Sequence, residues 1–331
     1  MKISLVTPAG KQSRAGNRTT AVRWARILHD LGHRVEIAVE DRAVDADMMV
    51  AVHAWRSAAS VARFADARPG RPLVVLLSGT DIYSFQHSHP AETLASMERA
   101  TALICLHDLV HRAIPGKFGS KLHVIHQSAP PLARPRVPSR RYFEVCVIGH
   151  LREEKDSLRT ALAARPAPET SRLRVVHLGK AHTEDWARDA AAEMARNARY
   201  VWRGEVPGWQ VRRQFARSHA MVISSVMEGG ANVVSEAVVA GVPVIASRID
   251  GNVGLLGEDY AGYYPAKDTD ALAALLQRAE TEPAFLRTLA AQCRKRRPLF
   301  APAREAAAWR RLLKDLSAES QAVAIACHSG R

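Results

Sequence analysis

Short runs of aliphatic and β-branched residues alternate along the chain with segments in which apolar residues recur at helical spacing. The runs before residue 128 are KISLVTP, RVEIAVE, DMMVAVHA, PLVVLLS, ALICL and KLHVIHQ, and the later ones are FEVCVIGH, RLRVVHLG, YVWRGE, AMVISS, PVIAS and GYYPA. Apolar runs separated by helices are typical of parallel sheets covered on both faces. The pattern predicts an α/β protein with two Rossmann-like, doubly wound domains facing each other across a cleft.

A segment without periodicity separates the two series of runs. Residues 128–141, SAPPLARPRVPSRR, are rich in proline and arginine, which is typical of a linker between domains. We therefore predict an N-terminal domain over 1–128, a linker over 129–141 and a second domain over 142–300. Residues 301–331 are predicted to form a helix that crosses back to the first domain and a tail, although the amphipathic pattern fits simple surface packing equally well.

Composition adds a strong positive charge. The 331 residues include 47 Lys and Arg against 33 Asp and Glu, a net charge of +14. This charge alone suits nucleic acid, an anionic membrane surface or an anionic small substrate. The cations near the C-terminus alternate with apolar residues at helical spacing, which is more typical of a solvated helix face than of a nucleic-acid patch. We therefore expect no nucleic-acid partner.

Other features of the composition concern location and metals. No apolar run is long enough for a membrane span and the N-terminus lacks a signal peptide, so a cytoplasmic protein is predicted. The four cysteines have no short spacing, which favours buried reduced thiols. The DAD of residues 45–47 precedes a strand, and the HSHP of residues 87–90 has no nearby third ligand, so we predict no metal.

The stretch SSVMEGGANVVSEAVVAGVPVIAS, residues 224–247, carries most of the candidate chemistry. Its pattern predicts a strand end, a Gly-Gly loop, and a helix that Asn232 caps and Gly241 stops. Gly229 and Gly230 would let backbone N–H groups approach a ligand, and N–H groups at a helix start suit a phosphate.

Two carboxylates, Glu228 and Glu236, flank this predicted phosphate cradle. Each carboxylate can accept hydroxyl hydrogens, so together they fit a diphosphate with a sugar at each end, which is the shape of a nucleotide sugar. Two glutamates eight positions apart are also commonly a loop charge and a solvated helix residue.

The first half of the chain offers polar groups at several strand ends. The loop in TPAGKQSRAGNRTT is not a P-loop, but its donors match a multiply charged anion unless it is simply a solvated loop. HAWRSA and SGTDIY place further polar residues at the ends of two strands, where the alternatives are a core histidine and an aspartate that caps a turn. The candidate acceptor-binding residues are Lys11, Arg14, Asn17, Arg18, His53, Arg56, Thr80 and Asp81.

The Gly-Gly stretch, with Glu-x7-Glu and the following AGVPVIAS, resembles the retaining glycosyltransferases of the two-Rossmann, or GT-B, fold, in particular family 4-like enzymes. The resemblance implies that Glu228 contacts the transferred sugar and Glu236 holds the nucleotide ribose. It places Gly229, Gly230, Ala231 and Asn232 in the donor site.

The first strand of the second half ends in VIGHLREEKD, where that family usually has Gly-Arg-Leu and then a lysine four residues on. Lys155 matches the lysine, which implies a contact with the donor diphosphate. His150 fills the arginine position, and Arg152 is predicted to supply the missing charge. Solvated residues at a helix start and a structural histidine are the alternatives. In SGTDIY, Ser78 stands where the family usually has a histidine.

A narrower resemblance extends over nearly the whole chain. TPAGKQSRAGNRTTAVRWA, HAWRSA, GTDIY, VIGHLREEKD and the segment from Met227 to Tyr260 look like the selenosugar synthases of selenoneine biosynthesis, a branch of this family. The resemblance implies transfer of a sugar from a UDP-sugar, UDP-N-acetylglucosamine, to the selenium of selenophosphate without a metal. The enzyme that makes selenophosphate would be the pathway neighbour.

This interpretation assigns roles to the candidates. Lys155 and Arg152 with the helix start would stabilise the departing UDP, Glu228 would orient the sugar, and the cationic N-terminal loop would hold the acceptor phosphate. Three other functions stay open: transfer to a hydroxyl of an anionic lipid with the basic C-terminal helix as the docking face, nucleotide-sugar binding without catalysis, and nucleotide-sugar epimerisation on the same fold.

Overall fold

The chain divides into two compact units, each built on its own parallel sheet. The computed structural model describes residues 1–13, 16–41 and 45–329, with side chains up to residue 318. One unit comprises Met1–Gln127 and Pro302–Arg331, and the other comprises Ser128–Ala301. The long helix at the end of the chain thus belongs to the first unit.

The first sheet has the order β2-β1-β3-β4-β5-β6, and all of its pairings are parallel. Its strands are β1 (Lys2–Val6), β2 (Arg34–Ala38), β3 (Met48–Val52), β4 (Leu73–Leu76), β5 (Ala102–Cys105) and β6 (Leu122–Val124). The helices between them are α1 (Gly16–Asp30), α2 (Ala58–Ala67), α3 (Gln86–Ser88) and α4 (Pro90–Arg99).

The second sheet has the order β12-β11-β10-β7-β8-β9 and is also parallel. Its strands are β7 (Phe143–Ile148), β8 (Leu173–Leu178), β9 (Tyr200–Trp202), β10 (Ala220–Ile223), β11 (Val244–Ser247) and β12 (Tyr263–Tyr264). The helices are α5 (Arg159–Ala164), α6 (Glu184–Arg196), α7 (Gly208–Arg217), α8 (Asn232–Ala240), α9 (Asp250–Leu256), α10 (Thr269–Thr281) and α11 (Pro283–Arg296), and α12 (Pro302–Ser329) follows them.

The predicted fold class is confirmed, because each apolar run quoted above contains one of these strands. Helices cover both faces of the first sheet. Trp24 of α1 and Trp309 of α12 lie in the core on one face, and Phe64 of α2 and Met97 of α4 lie in the core on the other. Burial on both faces explains why these strands are continuous apolar runs without polar alternation.

A buried carboxylate fastens α12 to α1. Glu305 accepts hydrogen bonds from Trp24 Nε1 at 2.8 Å and from Arg23 Nε at 3.1 Å. The rings of Trp24 and Trp309 pack edge to face with their centroids 4.9 Å apart. An apolar pair and a charge-assisted hydrogen bond therefore join the end of the chain to its first helix.

Several arginines of the second unit donate hydrogen bonds to main-chain carbonyl oxygens. Arg136 contacts Ser218 and Gly241 at the ends of α7 and α8, and burial lowers the pKa of its guanidinium. Three other arginines donate to main-chain oxygens in the same way: Arg199 to Pro168 at 2.7 Å, Arg212 to Pro130 at 3.2 Å and Arg296 to Leu255 at 2.8 Å. These arginines tie loops and helix ends together through the backbone.

The thiols of Cys105, Cys146 and Cys293 are free and buried, as predicted, and burial raises their pKa values. The side chain of Cys327 lies outside the described residues. Within the part of the chain that the structure describes, no helix is long and apolar enough to cross a membrane. In the same part, no three His, Cys, Asp or Glu side chains are grouped so that they could hold a metal ion.

Candidate active site

The order of the second sheet locates its ligand site. The chain runs from β7 outward to β8 and β9, then returns to the other side of β7 for β10, β11 and β12. The loops after β7 and β10 therefore diverge at their carboxyl ends, and this is where open α/β sheets bind ligands. Both stretches predicted to hold the donor, VIGHLREEKD and SSVMEGGAN, follow these two strands.

Lys155 and Glu228 meet at this point. Lys155 Nζ donates a hydrogen bond to Glu228 Oε1, and Ser225 Oγ donates to the same oxygen at 2.6 Å. The loops are held together by Ser224 Oγ, which donates to the carbonyl oxygens of Lys155 and Asp156, each at 3.0 Å. Two residues 73 positions apart in the chain thus form one charged pair with most of its surface buried.

The start of α8 differs from its prediction. Ala231, with an extended backbone, is the N-cap residue, and Asn232 is the first helical residue. The prediction that Asn232 caps the helix is therefore wrong, and its Nδ2 donates to Glu236 Oε1 at 2.6 Å. Gly230 before it has φ +123°, and Gly241 ends the helix at φ +75°, as predicted.

Gly251, in the first turn of α9, packs directly on the Glu228 loop. A Cβ atom at this position would lie 2.2 Å from the carbonyl oxygen of Glu228 and 2.7 Å from its Cβ. Because such distances are far below van der Waals contact, a glycine is required for the loop to lie where it does. Sequence analysis missed this residue, although the segment that resembles the selenosugar synthases includes it.

The loop after β7 carries both a neutral and a charged group. His150 Nδ1 accepts a hydrogen bond from the Lys180 N–H at 3.0 Å, so this nitrogen has no proton. Burial, with a contribution from His182, holds the pKa of His150 below its usual value. His150 is therefore neutral near pH 7, and the fixed charge of the loop comes from Lys155 and from Arg152, whose Nε lies 3.7 Å from Glu154.

In the first unit, a buried carboxylate joins the strand ends after β3 and β4. Asp81 accepts hydrogen bonds from the N–H groups of Ala54 at 2.9 Å, Trp55 at 3.0 Å and Ser78 at 2.9 Å. Asp81 also accepts from Ser78 Oγ at 3.0 Å, and His53 Nδ1 lies 2.7 Å from its Oδ1. Burial alone would raise the pKa of the Asp81 carboxyl, but these donors outweigh it and lower the pKa.

The contacts of Asp81 continue through His53 to the half-buried hydroxyl of Thr80. His53 Nε2 lies 3.1 Å from Thr80 Oγ1, and Thr80 lies 3.3 Å from Ser78 Oγ. His53 itself is buried and has φ +84°, an uncommon backbone conformation for a residue with a side chain. Of the predicted acceptor residues, the structure thus joins His53, Asp81 and Thr80, and Thr80 is the most accessible of the three.

The remaining predicted acceptor residues are more separate. Arg14 lies outside the described residues. Lys11 is exposed in a turn, and Asn17 and Arg18 are half-buried in the first turn of α1, which begins at Gly16. The side chain of Arg56 is exposed, and only its main-chain N–H approaches His53. The structure therefore leaves their predicted roles as predictions.

An aromatic cluster borders this part of the first unit. The ring centroids of Trp55 and Phe85 are 4.2 Å apart, and those of Trp55 and His89 are 4.4 Å apart. Residues 81–85 form a turn of π-helix, a rare conformation that occurs often at functional sites. Sequence analysis missed Phe85, because no local pattern signals a π-helical turn, and it considered His89 only as a metal ligand.

The two parallel-sheet units match the GT-B fold of solved structures. Sucrose-phosphate synthase from Thermosynechococcus elongatus matches with a TM-score of 0.76 and 15% identity, over 96% of this chain and 100% of that chain. HepE from Anabaena, solved in complex with UDP-glucose, matches with a TM-score of 0.75 and 16% identity over the same shares of both chains.

TarM from S. aureus also matches, with a TM-score of 0.63 and 12% identity over 80% of this chain and 55% of that chain. No curated protein matches the chain. Residues 134–296 match the family model described as glycosyl transferases group 1. This match lies within the second unit, which is therefore similar to the group 1 glycosyltransferases.

Proposed function

We propose that this protein is a hexosyltransferase that moves N-acetylglucosamine from UDP-N-acetylglucosamine to the selenium of selenophosphate. The observation that carries the transferase part is the contact between Lys155 and Glu228 at the strand-order reversal of the unit that matches the family. A UDP-sugar donor is supported by HepE, which was solved with UDP-glucose. The acceptor is supported by the motifs that resemble selenosugar synthases.

In the proposed reaction, selenium attacks the anomeric carbon and the bond from that carbon to the UDP oxygen breaks. The electron pair of the broken bond leaves with UDP, so negative charge grows on the diphosphate. Lys155 stabilises this charge, because an ammonium group has three donor hydrogens and Glu228 uses one of them. Arg152 adds a second positive charge, and no metal is needed.

Glu228 orients the sugar in this mechanism. Its Oε1 already accepts from Lys155 and Ser225, which leaves Oε2 and the free lone pairs of the carboxylate for sugar hydroxyls. The second predicted carboxylate, Glu236, lies one helical turn into α8 and accepts from Asn232. This link fixes the Glu236 side chain near the helix start, where we propose that it binds the ribose.

For the acceptor, we propose that Thr80 donates a hydrogen bond to a phosphate oxygen of selenophosphate, while the Ser78 hydroxyl donates to Asp81 at 3.0 Å. Both hydroxyls are half-buried, and the neighbouring Asp81 and His53 fix their positions. A serine at position 78 supplies no general base. Selenophosphate is a strong nucleophile and needs little general-base help, so this acceptor suits a site without a histidine at that position.

The test is UDP release from UDP-N-acetylglucosamine with selenophosphate, thiophosphate, phosphate or no acceptor, followed by mass analysis of the products. We expect release and a selenium-containing sugar only with selenophosphate. Release that requires vesicles of anionic lipid would instead indicate an O-glycosyltransferase. Binding without release under every condition would contradict the proposed reaction and leave only nucleotide-sugar binding.

A further inference from the structure

The peptide between Gly149 and His150 interrupts the ladder of β7 and β8. On either side the pairing is regular, since Gly149 N–H donates to Leu178 at 2.9 Å and Leu151 N–H donates to Lys180 at 2.9 Å. Between these bonds the Lys180 N–H binds the His150 ring instead of a main-chain carbonyl. The carbonyl of Gly149 is thereby released from the ladder.

A buried histidine takes up this carbonyl. His177 Nε2 lies 3.0 Å from the Gly149 oxygen, and His177 Nδ1 lies 2.9 Å from the Tyr200 hydroxyl. A carbonyl oxygen can only accept, so Nε2 carries the proton and Nδ1 accepts from Tyr200. Burial lowers the pKa of His177 to about 4, so this arrangement of protons persists at neutral pH.

The position of the carbonyl determines the direction of the next N–H. The chain has no cis peptide among its described residues, so the N–H of His150 points opposite to the Gly149 carbonyl and away from His177. Within residues 1–13, 16–41 and 45–329, this N–H makes no hydrogen bond. It is a main-chain donor at the carboxyl end of β7, the strand at which the strand order reverses.

A second residue holds the same peptide in place. A Cβ atom at Gly179 would lie 1.8 Å from the Gly149 oxygen, 2.4 Å from the Gly149 carbonyl carbon and 2.9 Å from the His150 nitrogen. Any side chain at position 179 would therefore force the peptide to move. On its other side, a Cβ atom at Gly149 would lie 4.0 Å from Lys155 Cδ, so the peptide is a neighbour of the predicted phosphate-binding lysine.

We propose that His177 is a positioning residue of the donor site, which holds the Gly149 carbonyl inward so that the His150 N–H donates to the terminal phosphate of the nucleoside diphosphate. This inference rests on the proposed use of a UDP-sugar. The His150 ring is neutral, so the main-chain N–H and Lys155 divide the task that an arginine side chain would perform at position 150. The N–H costs no side-chain ordering, because the backbone is already fixed.

The experiment compares the affinities of the full-length protein for UDP and UMP by calorimetry. In His177→Leu, which cannot donate to the carbonyl, we expect the Kd for UDP to rise about tenfold, the loss of about one hydrogen bond to a charged group. The Kd for UMP should change less than about twofold, because UMP lacks the terminal phosphate. His177→Gln, which keeps a donor near the position of Nε2, should restore most of the selectivity for UDP.

The matched control is His107→Leu, since His107 is a buried histidine of the first unit with a pKa also lowered to about 4. It should leave both affinities unchanged. If His177→Leu does not fold, Tyr200→Phe removes the hydroxyl that fixes the ring and should produce a smaller loss of the same selectivity. Equal weakening of UDP and UMP, or no weakening, would overturn the proposal.

The outcome separates this inference from the proposed reaction. A wild-type protein that binds UDP and transfers to no acceptor contradicts the reaction, and the comparison of UDP with UMP still decides the role of His177. A wild-type protein that binds UMP as tightly as UDP overturns the inference and leaves the reaction standing. A wild-type protein that binds neither nucleotide contradicts both.

Discussion

Replacing Glu228 by glutamine tests the donor site most directly. Glutamine keeps the shape of the side chain and an oxygen that can accept from Ser225 Oγ, which lies 2.6 Å from the carboxylate. It removes the negative charge that faces Lys155 and that we propose binds the sugar hydroxyls. The variant therefore separates the charge of Glu228 from its packing.

Two magnitudes follow from the burial of the pair. Removing one partner of a fully buried ion pair costs about 3–5 kcal/mol. The side chains of Lys155 and Glu228 are 21% and 10% exposed, so the lysine can reach water. We therefore expect a loss of about 1–2 kcal/mol in the free energy of unfolding. The loss of a preorganised group that acts in the transition state should lower kcat/KM by about 10²–10³-fold.

The assay measures kcat/KM from UDP release with the productive acceptor, and the free energy of unfolding from urea denaturation. The control is Glu193→Gln in the same unit, because the Glu193 side chain is fully buried and pairs with Arg165 and Arg196. It should destabilise the protein without changing transfer. If Glu228→Gln keeps kcat/KM within about threefold of the wild-type value, the charge of Glu228 has no role in transfer and the assignment is wrong.

Four further results are expected. Thr80→Val, which removes the accessible hydroxyl of the first-unit site, should raise KM for the anionic acceptor about tenfold without changing UDP affinity. Gly251→Ala should lower kcat/KM by about 10²-fold, because the added Cβ would displace the Glu228 loop. Glu305→Ala should lower the free energy of unfolding in urea by about 3 kcal/mol, since two buried donors lose their acceptor. Burial lowers the pKa values of His107 and His177 from 6.5 to about 4. Between pH 4 and 6.5 the unfolded chain therefore binds more protons than the folded chain. Stability should therefore rise from pH 4 to 6.5 and level off above, and His107→Leu should reduce that slope.

The strands could be predicted because a strand that is buried on both faces is a continuous run of apolar residues in the sequence. A run such as PLVVLLS has no polar alternation, and the structure buries β4 on both sides. The start of α8 could not be predicted to the residue. Asn232 has a side chain typical of a cap, but the helix starts one residue earlier than predicted, so Asn232 lies inside it and donates from Nδ2 to Glu236.

The contacts that organise the two sites depend on which strands are neighbours. His53 and Asp81 are far apart in the chain and meet because β3 and β4 pair in parallel. His177 reaches the Gly149 carbonyl because β7 pairs with β8 in a register that sets Val147 opposite His177. Neither register can be read from periodicity, so sequence analysis named His53 and Asp81 as candidates without predicting their contact, and it overlooked His177 altogether.

The arginines that bind main-chain carbonyls have a consequence for engineering this protein. Because the net charge is +14, replacing surface Lys and Arg residues by neutral ones is an obvious way to reduce binding to polyanions during purification. Arg136, Arg199, Arg212 and Arg296 should be left out of any such redesign, because their guanidinium groups occupy carbonyl oxygens at loop and helix ends. Lysine is a poor substitute for them, since one ammonium group cannot reproduce the planar fork with which Arg136 spans two helix ends. The charges that can be changed safely are the exposed ones on helix faces, such as Lys295 and Arg310.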